Sequence, residues 1–205
     1  MSAIIKNSLQ KGISYQAYRE LVKHLVDKKS NTGEEKTKAL ANYTKLNDKR
    51  MKRWDKTIKI SEASNRRINE FRHHITWLVI TESWCGDAAH MLPAINKIAE
   101  LSNYIDMKIV IRDENLELMD AFLTYGSRSV PKLIMIDDET GDVLTTYGPR
   151  PSEATSYVNR FKAENGELTP EFKEDLQHWY NDDKGQNIIE DVTEMLCQLE
   201  PNVCQ

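Results

Sequence analysis

The sequence predicts an α/β fold: a mixed β-sheet flanked by helices, with a helical extension before it and a helical tail after it. Three observations carry this. Short apolar runs rich in β-branched residues, such as Thr76, Trp77, Leu78, Val79, Ile80 and Thr81, read as strands buried on both faces. Segments with apolar residues at helical spacing separate these runs. A stretch of turn-forming residues, 137–142, joins the last two strand-like runs and makes them an antiparallel hairpin.

In chain order, residues 15–27 repeat apolar side chains at Tyr18, Leu21, Val22 and Leu25, with Ser14 placed to cap the helix. After a polar break at 28–33, residues 34–60 put Leu40, Tyr43, Leu46, Met51, Trp54 and Ile58 on one broad stripe. Ser61 can cap a short helix that runs to residue 72, and nothing before it reads as a strand. Strands follow at 76–81, 107–111, 132–136 and 143–147, with helices at 87–101 and 114–123. Further helical patterns occupy 152–164, 169–180 and 187–199. This gives three parts: an extension at 1–72, a sheet domain at 73–165 and a tail at 166–205. Crossovers joining the first strands place helices on both faces of the sheet.

With 205 residues, 40% of them hydrophobic and 29% charged, the chain resembles a globular protein able to bury a substantial core. A net charge of -4 gives no global reason to expect nucleic acid or an anionic membrane as partner. Residues 1–12 lack an apolar run of signal-peptide length, and no apolar run spans a bilayer, so a cytoplasmic location is expected. The three cysteines, Cys85, Cys197 and Cys204, are too few for a disulfide framework, and their odd number leaves at least one thiol free.

Directly after the first strand comes Glu82-Ser83-Trp84-Cys85-Gly86-Asp87-Ala88, and a helix begins there. A cysteine at a helix N-terminus meets unpaired N–H groups and the positive end of the macrodipole, both of which favour its thiolate. Trp84-Cys85-Gly86, with Pro93 eight residues beyond the cysteine, resembles the thioredoxin signature, and Ser129-Val130-Pro131 resembles the segment that carries the family's cis proline. The resemblance covers about the middle half of the chain and implies a thioredoxin-like fold. It is nearest to bacterial thioredoxin-like proteins with a helical N-terminal extension and a Cys-Gly-Asp motif. Gly148-Pro149-Arg150-Pro151 is less diagnostic.

Three departures from the family bear on mechanism. Ala88 stands where the second cysteine would be, so no local thiol resolves a mixed disulfide. Val79 aligns with the family's buried acid, whose proton relay serves that missing cysteine. Asp87 replaces the family's proline and sets a carboxylate beside Cys85, where it opposes thiolate formation. Its other reading is a first-turn acid that complements the helix dipole.

The resemblance implies that Cys85 is the catalytic nucleophile and that Val130 and Pro131 position a substrate backbone. Trp84, Gly86, Asp87 and Ala88 complete the motif, with Trp84 expected to shield and pack. His90 can pair with Asp87 at helical spacing, but a cysteine, an aspartate and a histidine on one helix start match no structural zinc spacing, so neither metal nor cofactor is expected. Cys197 and Cys204 are expected as plain thiols rather than as resolving partners of Cys85. The basic residues of 45–67 read as a solvated face rather than a nucleic-acid site, and the Met51–Trp54 stripe as covering the sheet edge or forming a homodimer.

The expected function is therefore monothiol thiol-disulfide exchange: Cys85 attacks a protein or low-molecular-weight disulfide, and an external thiol releases the adduct. The first alternative is an inactive peptide-binding module on the same fold. The second is glutaredoxin-like binding of glutathione or an iron-sulfur cluster, against which Trp84 and the long extension weigh.

Overall fold

The computed structural model describes residues 1–204. Helix α1 (Ala3–Lys11) opens the chain, with the Ser2 hydroxyl accepting from the Ile5 N–H at 3.3 Å. The sequence pattern starts the first helix only at Tyr15, because α1 buries little beyond Ile5 and Ser8 and so carries a weak stripe. Helix α2 (Tyr15–Asp27) follows, capped by Ser14. Between them Ile13 exchanges backbone hydrogen bonds of 2.9 and 2.8 Å with Ile109. One extended residue of the helical extension thus pairs with the sheet, which the helical pattern does not announce, and it covers an edge that would otherwise present unpaired groups.

Helix α3 (Lys38–Thr57) begins at the Thr37 cap, and α4 (Glu62–Glu70) at Ser61. The buried face of α3 is Ala41, Thr44, Asn47, Met51 and Trp54, continuing to Ile58. This corrects the predicted stripe: Tyr43 is 55% and Leu46 42% exposed. The first half of the helix turns small and polar side chains inward because it packs on a polar loop, described below.

Strands β1 (Ile75–Thr81), β2 (Ile105–Ile111), β3 (Lys132–Asp137) and β4 (Val143–Tyr147) form one sheet in the order β2-β1-β3-β4. β1 runs parallel to β2 and antiparallel to β3, and β3 and β4 form the expected hairpin, with a bulge at Met135/Ile136. The two central strands are almost entirely buried, as their continuous apolar runs require. Helices α5 (Gly86–Ala99) and α6 (Leu116–Ala121) precede β2 and β3. Helices α7 (Ser152–Asn165), α8 (Pro170–Asp183) and α9 (Gln186–Leu199) complete the chain.

Tyr18, Val22, Met51 and Trp54 of the extension share one hydrophobic core with the sheet, α5 and α9. A separate small cluster joins α7 to α8 through Val158, Phe172, Leu176 and Tyr180. Among the described residues, no helix is long and apolar enough to cross a membrane.

Candidate functional site

The motif predicted from sequence occupies the turn from β1 into α5. Glu82 is fully buried there, accepting from the Thr32 hydroxyl and, at 3.0 Å, from the Asp113 N–H. Burial pushes its carboxyl above the usual range, against these two hydrogen bonds. Ser83 is held entirely by the extension. Its N–H donates to Thr32 Oγ1 at 2.7 Å, its hydroxyl lies 2.8 Å from that of Thr44, and its carbonyl accepts from Asn47 Nδ2 at 2.9 Å. This is the loop that demands small polar residues on the inner face of α3.

Cys85 is the N-cap of α5 and lies where the sequence placed it. Its thiol donates to the Val130 carbonyl at 3.2 Å and accepts from the Ala88 N–H at 3.5 Å. The Val130–Pro131 peptide bond is cis. The structure thus brings together Cys85, Gly86, Asp87, Ala88, Val130 and Pro131, with Trp84 half-buried beneath the Arg112 guanidinium, 5.0 Å from its ring centre.

The protonation state departs from expectation. Cys85 is only 9% exposed, and burial, reinforced by the negative charge of Asp87, pushes its thiol up to about 12. The N–H groups of Ala88 and Asp87 and the Arg150 charge act in the opposite direction, but desolvation is the largest effect. A helix start does not by itself produce a thiolate when water is excluded from the sulfur.

Asp87 is mostly buried and bridged by two residues far along the chain: Arg150 at 2.9 Å and the Tyr180 hydroxyl at 2.9 Å. Burial raises its carboxyl, while Arg150 pulls it down. His90 does not pair with Asp87, which corrects the pairing considered from spacing. Its Nδ1 accepts from Trp54 Nε1 at 2.9 Å and its Nε2 faces Gln177 Oε1 at 3.0 Å, so the neutral ring carries its hydrogen on Nε2. The ring stacks on Tyr180 at 4.3 Å, and burial lowers it to about 3. Among the described residues no group of three His, Cys, Asp or Glu side chains could hold a metal ion.

Cys197 is disulfide-bonded and Cys85 is free, which overturns the expectation of a plain thiol at Cys197. The Cys204 side chain lies outside what the structure describes. Of the basic residues of 45–67, Arg50 stands apart: Lys49, Lys52, Arg53, Lys56, Lys59, Arg66 and Arg67 are exposed, whereas Arg50 is partly buried near Gly86.

A cavity of about 700 Å³ opens beside Cys85 between α3, the motif and α8. Arg50, Arg150, Tyr180 and Gln177 are site residues that sequence reasoning missed. Only Arg150 carried a signal, in the Gly-Pro-Arg-Pro run ahead of α7.

A family model described as Thioredoxin matches residues 33–164, more than half of the chain, beginning within the helical extension. No curated protein matches the chain. A protein of unknown function from Pseudomonas aeruginosa is similar over 92% of this chain and 94% of its own, at 15% identity and a TM-score of 0.57. An HIV epitope-scaffold is similar over 90% of this chain and 98% of its own, at 18% identity and a TM-score of 0.54. At such identities these two likenesses concern the fold alone. By the match over 33–164, with the Trp-Cys-Gly turn and the cis proline facing each other, the chain belongs to the thioredoxin family.

Proposed function

We propose that the protein carries out monothiol thiol-disulfide exchange through Cys85. The thiolate attacks one sulfur of a disulfide RSSR, the S–S bond of RSSR breaks, and a Cys85–S–S–R bond forms as RS⁻ leaves and takes a proton from water. An external thiol then attacks the adduct and returns Cys85 to its reduced form, the role that Ala88 cannot fill. The observation that carries this reading is the 3.2 Å contact between the Cys85 sulfur and the carbonyl of Val130, which precedes the cis proline. In a thioredoxin fold, that backbone is where a substrate strand would lie against the attacking sulfur.

A thiol held near 12 is ionised in roughly one molecule in a hundred thousand at neutral pH, so exchange needs a step that lets water or a substrate reach the sulfur. The same burial favours a second reading, a peptide-binding module without turnover. Mass spectrometry after incubation with a disulfide at neutral pH separates the two. Exchange predicts a single adduct on Cys85 that is removed by added thiol and absent from Cys85→Ser. No adduct after hours, with the fold intact, would leave the binding module as the function.

A further inference from the structure

The cavity beside Cys85 has apolar walls and an unbalanced charge. Leu40, Tyr43, Trp84, Leu168 and Leu176 supply the walls, and Cys85 itself forms part of the lining. At about 700 Å³ it has the size of a small-molecule site. Pro170, Lys173, Leu176 and Gln177 of α8 line one side.

Three side chains in the lining carry positive charge: Arg50, Arg150 and the exposed Lys173. Arg150 is neutralised by Asp87 at 2.9 Å, and His178 lies 4.0 Å from Glu174, in a pair that is well exposed. Arg50 is different. Its Nη1 donates to Asn47 Oδ1 at 3.0 Å, and among the described residues no carboxylate lies within ion-pair distance of it. The same nitrogen stands 3.5 Å from the position a Cβ on Gly86 would take, one residue from the reacting sulfur. Desolvation and the neighbouring Arg53 lower its pKa, while Tyr43 and the Asp87 carboxylate, beyond ion-pair distance, act in the opposite direction. A guanidinium keeps its charge under such conditions and presents a fork suited to a carboxylate.

We propose that this cavity selects a low-molecular-weight disulfide bearing a carboxylate, with Arg50 holding the carboxylate while the attached sulfur meets Cys85. The inference rests on the exchange reading above and names the substrate class for that site. The overall step is Cys85–SH plus RSSR giving Cys85–SSR plus RSH, in which RSSR is itself the oxidant and is consumed.

Three small disulfides of similar size provide the test: dithiodipropionate, bis(hydroxyethyl) disulfide and cystamine, carrying anionic, neutral and cationic arms. The measurement is the rate of adduct formation on Cys85, followed by mass spectrometry in the full-length protein and in Arg50→Gln. Removing the guanidinium is expected to lower the anionic-to-neutral rate ratio about tenfold, the worth of one charge-assisted hydrogen bond. It should not lower the cationic-to-neutral ratio. Arg50→Lys, which keeps the charge without the fork, should restore part of the anionic ratio. In the unmodified protein, raising the salt concentration should reduce the anionic-to-neutral ratio, a result that does not depend on any variant folding. A ratio insensitive to both Arg50→Gln and salt overturns the selection, even where all three reagents label Cys85. Failure of every reagent to label Cys85 overturns the exchange reading and this inference together.

Discussion

At the level of single residues, Cys85 sits between two opposing influences. The N–H groups at the start of α5 stabilise a thiolate, and burial beside the Asp87 carboxylate opposes it and prevails. Removing that negative charge in Asp87→Asn lowers the thiol pKa and enlarges the thiolate fraction at pH 7, so alkylation of Cys85 by iodoacetamide is expected to speed up severalfold, on the order of tenfold. In the unmodified protein the same rate should climb steadily with pH and show no plateau below about pH 11, given the value near 12. A plateau near pH 8 would show that the sulfur is not desolvated. His90 moves in the other direction: its folded pKa is lowered to about 3, so only the unfolded chain takes up a proton between pH 6.5 and 3. The stability it contributes is thus complete above about pH 6.5 and is lost as pH falls through that window. Urea midpoints measured across the window should fall less steeply in His90→Gln than in the unmodified protein. The variant should also be less stable at pH 7 by about 1–3 kcal/mol, since Trp54 Nε1 is buried against the ring. The cysteine and the proline were legible in the sequence because each sits in a short contiguous motif. Tyr180 was not, since it reaches Asp87 only through tertiary packing across 93 positions.

The elements around the motif explain what the extension does. The loop entering α3 and the helix itself hold Ser83 through Thr32, Thr44 and Asn47, so the residue two before Cys85 is fixed by chain that lies well outside the strand-helix unit. Thr44→Val combined with Asn47→Ala removes two of these partners and leaves the buried Ser83 carbonyl unsatisfied, a cost of about 1–3 kcal/mol. Chemical unfolding should register that loss, and alkylation of Cys85 should become faster as the turn loosens. Unchanged stability and reactivity would mean that the extension does not hold the motif. The strands were readable because a strand buried on both faces needs a continuous apolar run, as β1 has at Trp77 to Ile80 and β3 at Leu133 to Ile136. The inner face of α3 misled for a related reason. Periodicity finds apolar stripes, and a helix that packs on a polar turn buries Thr44 and Asn47 while Tyr43 and Leu46 face outward.

Across the whole molecule, one buried core draws on the extension, the sheet domain and the tail alike. Tyr18, Val22, Met51, Trp54, Ile58, Ile68 and Phe71 all belong to the same buried cluster as Trp77, Leu92 and Ile134, and α9 returns from the far end of the chain to join it. Burying such side chains contributes roughly 1.5–3 kcal/mol each, so these seven from the first 72 residues supply about 10–20 kcal/mol. That is comparable to the entire stability of an ordinary domain, about 5–15 kcal/mol. The α7–α8 pair, with its own small cluster, is tied to the rest through Asp87–Tyr180, His90–Gln177 and α7–α9 contacts and carries a smaller share. A chain beginning at residue 73 should therefore fail to fold as a monomer: no cooperative thermal transition, and dye binding typical of exposed apolar surface. Adding back residues 1–72 as a separate polypeptide should restore the transition if the interface alone is missing. A cooperative transition in the shortened chain by itself would mean that the extension is an accessory to the sheet domain. The hold on Ser83 would then be a matter of positioning, with no part in stability.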